Sequence, residues 1–191
     1  MENKSFINKN PVLVLVDIQK AFLEKDYPGK KRNNPNAEFV CGKILKEWRE
    51  LKLPIIHVRH SSTNPLSKLH KSNTGFDFHD SVLPLDHEPI ITKQVNSAFI
   101  GTNLKEQLEL LHIDTLVIVG MTTNHCISTT TRMAGNFGFD TYLISDATAT
   151  FDRVGILGEK YDAETIHMTA LANLKDEFAT IWTSEVLLQK I

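Results

Sequence analysis

Apolar residues in this chain fall into short unbroken runs, separated by stretches in which they recur at helical spacing. Pro11 to Val16 is one such run, and it stops at Asp17. A run of that length without polar alternation fits a strand covered on both faces, as in a parallel sheet. Pro54 to Arg59, Pro89 to Lys93, Thr115 to Val119, Asp140 to Ser145 and Phe178 to Trp182 are further strand candidates. Between them the period changes. Phe39, Val40, Ile44, Leu45, Trp48 and Leu51 predict a helix over 38–51. Asn103 to His112 predicts another, with Asn103 placed to cap it and Glu106 three residues on. Ile127 to Asn136 reads as a helix ended by Gly138. Ala163, Ile166, His167, Ala170, Leu171 and Leu174 mark a helical face over 162–174. Ser61 to Glu88 is a long polar connection without period, of the kind that is usually functional or disordered.

Alternating strands and helices argue an α/β fold, an open, mostly parallel sheet covered by helices on both sides. The 191 residues, 41% of them hydrophobic, suit one domain spanning 1–191 with a substantial core. Ligands of such sheets bind beyond the carboxyl ends of the strands. Asp17, Arg59, Lys93 and the segment Met121 to Cys126 all fall at those ends. The pattern therefore gathers a carboxylate, an amine and a thiol on one rim.

Charge narrows the partners. A net charge of −2 gives no basic footprint for nucleic acid, and Lys30-Lys31-Arg32 reads as a short solvated loop. No stretch approaches the length of a membrane span, and Met1 to Asn10 lacks a signal-peptide core. Two widely separated cysteines, Cys41 and Cys126, supply neither a disulfide framework nor a zinc ribbon. A reducing cytoplasm is the expected setting.

Cys126 follows the run Leu116 to Gly120 and a short polar turn, where a new helix begins. A helix N-terminus lowers a thiol pKa and leaves backbone N–H groups free for an oxyanion. An aspartate nearby can take the thiol proton, and a lysine can stabilise both anions. Each residue taken singly has an ordinary reading, as a buried small side chain, a strand-end turn residue or a solvated cation.

The segments Val12-Leu-Val-Leu-Val-Asp17-Ile-Gln19, Ile91-Thr-Lys93-Gln-Val-Asn-Ser97-Ala98-Phe99 and Val119-Gly120-Met-Thr-Thr-Asn-His-Cys126 together resemble the signature segments of isochorismatase-like cysteine hydrolases. Asp146 to Phe151 and Ala163 to His167 look like further family segments. The resemblance covers nearly the whole chain from Pro11 onward. It implies a three-layer αβα, Rossmann-like fold and a catalytic Asp17, Lys93 and Cys126. It also implies a cis peptide at Met121-Thr122 and an oxyanion hole from the Thr122 and Cys126 N–H groups. Family members that cleave isochorismate lack the cysteine, so its presence here points to hydrolysis of a small-molecule amide or other C–N bond. Nicotinamidases of the group carry a metal site built on Asp-x-His. This chain has His57-Val-Arg59-His60 instead, with His57 and His60 expected on opposite faces of a strand. No metal and no cofactor are expected, and a homo-oligomer, dimer or tetramer, is.

Substrate contacts are expected from Gln19, Phe22, Arg59, His60, Phe99 and Met121, with Phe76 and Phe78 extending an aromatic wall. Arg59 or His60 would meet a carboxylate or carbonyl, and Gln19 would orient Asp17 or a carbonyl. His167 is expected to pair with Glu164 one turn before it, and Asp146 to serve as a strand-end turn or cap. A non-catalytic protein retaining this fold would tolerate loss of the triad residues, and all three are present. A redox thiol protein would need Cys41 as a resolving partner, and Cys41 lies in a separate predicted helix.

Overall fold

In the computed structural model, residues 6–23 and 31–191 are described. Lys30 lies outside them. Six parallel strands form the central sheet: β1 (Val12–Val16), β2 (Ile55–His60), β3 (Ile90–Lys93), β4 (Thr115–Met121), β5 (Asp140–Ala149) and β8 (Thr180–Trp182). Their order is β3-β2-β1-β4-β5-β8. The chain first builds outward from β1 on one side, then returns to build outward from β4 on the other. The crevice between the carboxyl ends of β1 and β4 is thus the topological switch point, the place where ligands bind in such sheets. A short antiparallel hairpin, β6 (Arg153–Val154) with β7 (Lys160–Tyr161), follows β5.

Strand alternation divides the core. Val12, Val14 and Val16 point into one hydrophobic layer with Leu104, Leu108, Ile127, Ala134 and Leu171. These come from α2 (Leu104–Leu110), from the turn before α3 (Ser128–Asn136), from α3 itself and from α4 (Ala163–Ala172). Leu13 and Leu15 point the other way, against Cys41, Ile44, Leu45 and Trp48 of α1 (Ala37–Glu50) and Leu187 of α5 (Ser184–Leu188). Each fully buried side chain of this size contributes roughly 1.5–3 kcal/mol over exposure. The unbroken apolar character of β1 follows: both of its faces are interior.

Several expectations change at the element ends. Asn103 makes no side-chain cap to α2, and its Oδ1 accepts instead from Gln107 Nε2 at 3.1 Å. Asp146 lies inside the longer β5 and accepts from the N–H and hydroxyl of Ser184, starting α5 (2.7 and 2.5 Å). Arg32 is not solvated; it forks onto the buried Glu38 at 2.7 and 2.8 Å. The connection 61–89 is pinned at several points. His79 N–H donates to Ile18 O at 2.9 Å, Lys20 N–H to Asp77 O at 2.9 Å, and Ser81 Oγ to Glu38 O at 2.8 Å.

Candidate active site

Asp17 is the first residue beyond β1, and its backbone is left-handed (φ 54°). Aspartate tolerates that region better than most residues, and such conformations persist where the surroundings enforce them. Here the Asp17 N–H is held by Val58 O at 2.8 Å, and its carbonyl accepts from Gln19 N–H at 3.0 Å. The bend turns the carboxylate across the sheet's end. Lys93 closes β3, two strands away, and its side chain passes over the end of β2 to reach it. The Nζ–Oδ2 distance is 2.6 Å, and both side chains are buried.

On the other side, β4 runs so close to β1 that a Cβ at Gly120 would lie 1.9 Å from Val16 O. Gly120 also has φ +127°, so glycine is required there on two grounds. The Met121-Thr122 peptide is cis. Thr123–Ile127 then form a single π turn, in which Ile127 N–H reaches back to Thr122 O (3.3 Å), before α3 begins. Cys126 sits in this turn, half-buried, with Sγ 3.3 Å from Lys93 Nζ and 3.8 Å from Asn96 Oδ1.

The Lys93 ammonium thus has four neighbours: Asp17 Oδ2, Val95 O at 3.2 Å, Cys126 Sγ and His60 Nδ1 at 3.4 Å. Burial disfavours its charge, but Asp17 and Cys126 outweigh burial and hold Lys93 above its ordinary value. For Cys126 the balance runs the other way. Burial and then the Asp17 carboxylate push the thiol well up, against the opposing pull of Lys93. The expected lowering at a helix N-terminus is therefore overridden, because the sulfur is held away from solvent and lies beside a buried carboxylate. Both effects favour the protonated thiol.

A cavity of about 170 Å³ opens over these groups, lined by Asp17, Phe22, His60, Leu69, Asn96, Thr122, His125 and Cys126. His60 is held below its ordinary value by burial and by Lys93, which favours the neutral ring. One donor atom each from Asp17, His60 and Cys126 lies within 4.8 Å of the others, a spacing that could hold a metal ion. The Lys93 ammonium bonds or approaches all three, so the cluster already contains a cation.

A family profile described as the isochorismatase domain matches residues 11–186. An isochorismatase family protein of Bacillus subtilis, YrdC, is 52% identical over 95% of this chain and 96% of its own length. The chain belongs to the isochorismatase family. A solved hydrolase structure of that family from Chromobacterium violaceum superposes with a TM-score of 0.92, at 38% identity over 95% of this chain and 93% of the other. More distantly, an N-carbamoylsarcosine amidase of Arthrobacter is 27% identical over 68% of this chain and 55% of its own length. The protein is accordingly a hydrolase of the isochorismatase family.

Within this isochorismatase-family site, the structure brings together Asp17, Lys93, Cys126, Thr122, Phe22 and His60. Gln19, Arg59, Phe99 and Met121, and both Phe76 and Phe78 of the expected aromatic wall, fall outside the cavity lining. Arg59 is one residue from His60, so the pleat turns it to the opposite face, where it lies over the Phe76 ring at 4.3 Å and donates to Thr92 Oγ1 at 3.2 Å. Phe78 joins that stack rather than an aromatic wall, 5.5 Å from the same guanidinium. Phe99 is core, packed between Phe137 and Phe139 (centroids 5.3 and 6.1 Å). Met121 is buried with Phe22, Ala149 and Phe151. Gln19 spends its amide on the backbone: Nε2 donates to His60 O and Phe76 O (3.1 and 2.8 Å), and Oε1 accepts from His60 N–H (2.9 Å). It locks the end of β2 to the long connection and thereby places His60.

His57 does lie on the face opposite His60, bonded to Glu88 Oε2 at 2.8 Å. His167 bonds Thr123 Oγ1 at 2.9 Å rather than pairing with Glu164, so α4 braces the first residue of the turn that holds Cys126. Asn124 of the same turn is bonded by the Thr150 hydroxyl. Leu69 and Asn96 were not anticipated. Asn96 carried a signal, lying three residues past Lys93 in the same segment. Leu69 carried none, because its connection has no period from which a direction could be read.

Proposed function

We propose that this isochorismatase-family hydrolase cleaves a small-molecule amide or other non-peptide C–N bond through a thioester on Cys126. The observation that carries the reading is the single buried ammonium of Lys93 held between Asp17 Oδ2 at 2.6 Å and Cys126 Sγ at 3.3 Å, at the base of a small cavity. Asp17 Oδ1 is buried without a hydrogen-bond partner, which leaves it open to a proton. As Cys126 Sγ attacks the carbonyl carbon, the thiol proton passes to Asp17, and Lys93 stabilises the sulfur as charge develops. The carbonyl oxygen becomes an oxyanion, received by the N–H groups of Thr122 and Cys126. Collapse breaks the C–N bond, and Asp17 returns the proton to the departing nitrogen. Water, deprotonated by Asp17, then cleaves the thioester and releases the acid and the thiol.

The similarity to an N-carbamoylsarcosine amidase supports a C–N bond as the target. The cavity, about 170 Å³, fits a reacting group of a few heavy atoms rather than a polypeptide. The test is release of ammonia or amine from a panel of primary amides, lactams, ureido acids and nicotinamide by wild type and Cys126→Ala, with chelator controls. The expected result is chelator-insensitive turnover that Cys126→Ala abolishes, with an acyl adduct on Cys126 in quenched intact-mass spectra. Undiminished turnover by Cys126→Ala would overturn the proposal.

A further inference from the structure

Strand order also sets the order of groups along the floor of the cavity. Cys126 follows β4, Asp17 follows β1 and His60 ends β2, and these strands lie side by side in the order β4-β1-β2. One donor atom of each residue lies within 4.8 Å of the others. A substrate laid across this end with its carbonyl carbon at Cys126 Sγ has its departing nitrogen at Asp17, which protonates it. The group on the far side of that nitrogen then meets His60.

His60 is held in place and carries one unused donor. Gln19 fixes its backbone from both sides: Oε1 accepts from His60 N–H at 2.9 Å, and Nε2 donates to His60 O at 3.1 Å. The half-buried ring lines the cavity, whereas His125, the other lining histidine, is exposed. His60 Nδ1 lies 3.4 Å from Lys93 Nζ. An ammonium has protons to give and no lone pair, so this bond exists only when Nδ1 is bare. Val95 O, which also lies near the ring, already accepts from the same ammonium at 3.2 Å. With the ring neutral, its single proton is therefore on Nε2. Among the described residues no hydrogen-bond partner takes that proton, and Nε2 stays accessible. The ring presents a fixed, uncharged N–H that nothing in the chain uses.

We propose that His60 is a specificity residue whose Nε2–H donates to a carbonyl oxygen carried on the departing nitrogen, so that the substrate is an amide acylated again on that nitrogen, an acylurea or an imide rather than a simple alkyl amide. This rests on Cys126 being the reacting group. Both oxygens of such a substrate then have donors, the reacting carbonyl at the Thr122 and Cys126 N–H groups and the second at His60. An alkyl amide brings no acceptor and leaves the His60 N–H unpaired in a desolvated site, which is how a polar pocket rejects an analogue that lacks one group.

Alkylation of Cys126 tests this without knowledge of the substrate. Bromoacetylurea and N-acetylbromoacetamide carry the second carbonyl on the amide nitrogen, and N-isopropylbromoacetamide has the same branching without it. Rate constants at Cys126 are measured for wild type, His60→Phe and His60→Gln, with adducts located by peptide mass mapping. His60→Phe keeps a ring without the N–H, and His60→Gln returns an N–H donor at comparable reach. The ratio of each acylated probe to the isopropyl probe cancels general effects of a substitution on folding or thiol reactivity. For at least one acylated probe that ratio is expected to be about fivefold or more lower in His60→Phe than in wild type, as loss of one hydrogen bond implies, and to be partly restored in His60→Gln. A ratio unchanged by His60→Phe for both acylated probes would overturn the assignment. So would an equal loss in His60→Gln, because the ring would then matter and its N–H would not, and so would the absence of a Cys126 adduct with every probe. The ratio is read from labelling alone, so its failure is distinct from failure of the thioester reading, which shows as amide turnover undiminished by Cys126→Ala.

Discussion

The Lys93 ammonium is buried among a carboxylate, a thiol and an imidazole, and each interaction sets the protonation of another. Removing the Asp17 charge has two opposed consequences. In the mechanism proposed above Asp17→Asn takes away the proton acceptor, so amide turnover is expected to fall about 100-fold or more, measured as initial rate. The same substitution removes a carboxylate that pushes the Cys126 thiol up and frees Lys93 to stabilise the thiolate. Alkylation of Cys126 by iodoacetamide is therefore expected to reach its half-maximal rate at lower pH in Asp17→Asn than in wild type. A midpoint unchanged or raised would mean that Asp17 does not act on the thiol.

Elements deliver these residues through a few close approaches. β1 and β4 lie near enough that only a residue without Cβ fits at position 120, with Val16 O occupying the space a methyl would need. Gly120→Ala is expected to cost about 3 kcal/mol or more, because the neighbour it meets is backbone and a positive φ must also be held. Urea unfolding of the two proteins checks this, and a loss below about 1 kcal/mol would show that the strands can part. The π turn that follows is braced from two directions, by His167 of α4 on Thr123 and by Thr150 on Asn124. A strand's alternation also separates neighbours completely: His60 faces the cavity while Arg59 lies over Phe76 on the other side.

Across the whole molecule, the long connection before β3 is tied to the far end of the sheet by Glu88. Its carboxylate accepts from the Arg49 fork of α1 at 2.8 Å for both bonds and from Leu85 N–H at 3.0 Å, and it meets the His57 ring of β2. Burial opposes the charge, but these partners outweigh it and lower Glu88 from the ordinary 4.5 to about 2. A carboxyl lowered on folding stabilises the protein fully above its unfolded value and loses that contribution as pH falls through the folded one. The stability difference between wild type and Glu88→Gln is thus expected to be constant near neutrality and to shrink as pH drops from about 4.5 towards about 2. Chemical denaturation at a series of pH values reads it directly, and a difference independent of pH would remove Glu88 from the acid response.

The order of strands and helices was legible in the sequence because burial on both faces leaves an unbroken apolar run, as in Val12 to Val16, and burial on one face of a helix leaves a period, as in Cys41, Ile44, Leu45 and Trp48, although Phe39, counted into that period, is exposed. The strand ends marked by Asp17, Lys93 and Cys126 were legible for the same reason: the run stops where a polar group begins. The β6–β7 hairpin and α5 were too short to carry a period. Tertiary structure alone decided which residues meet beyond the strand ends. Gln19, Phe99 and Met121 are as near the motifs in sequence as Phe22 is, yet their side chains are spent on backbone bonds and core packing. The upward push on the thiol was likewise beyond sequence, because it depends on burial of the sulfur and on its nearness to a buried carboxylate from a different strand. Local pattern is set by whether a position is covered. Chemistry at the site is set by what covers it, and that comes from segments far apart in the chain.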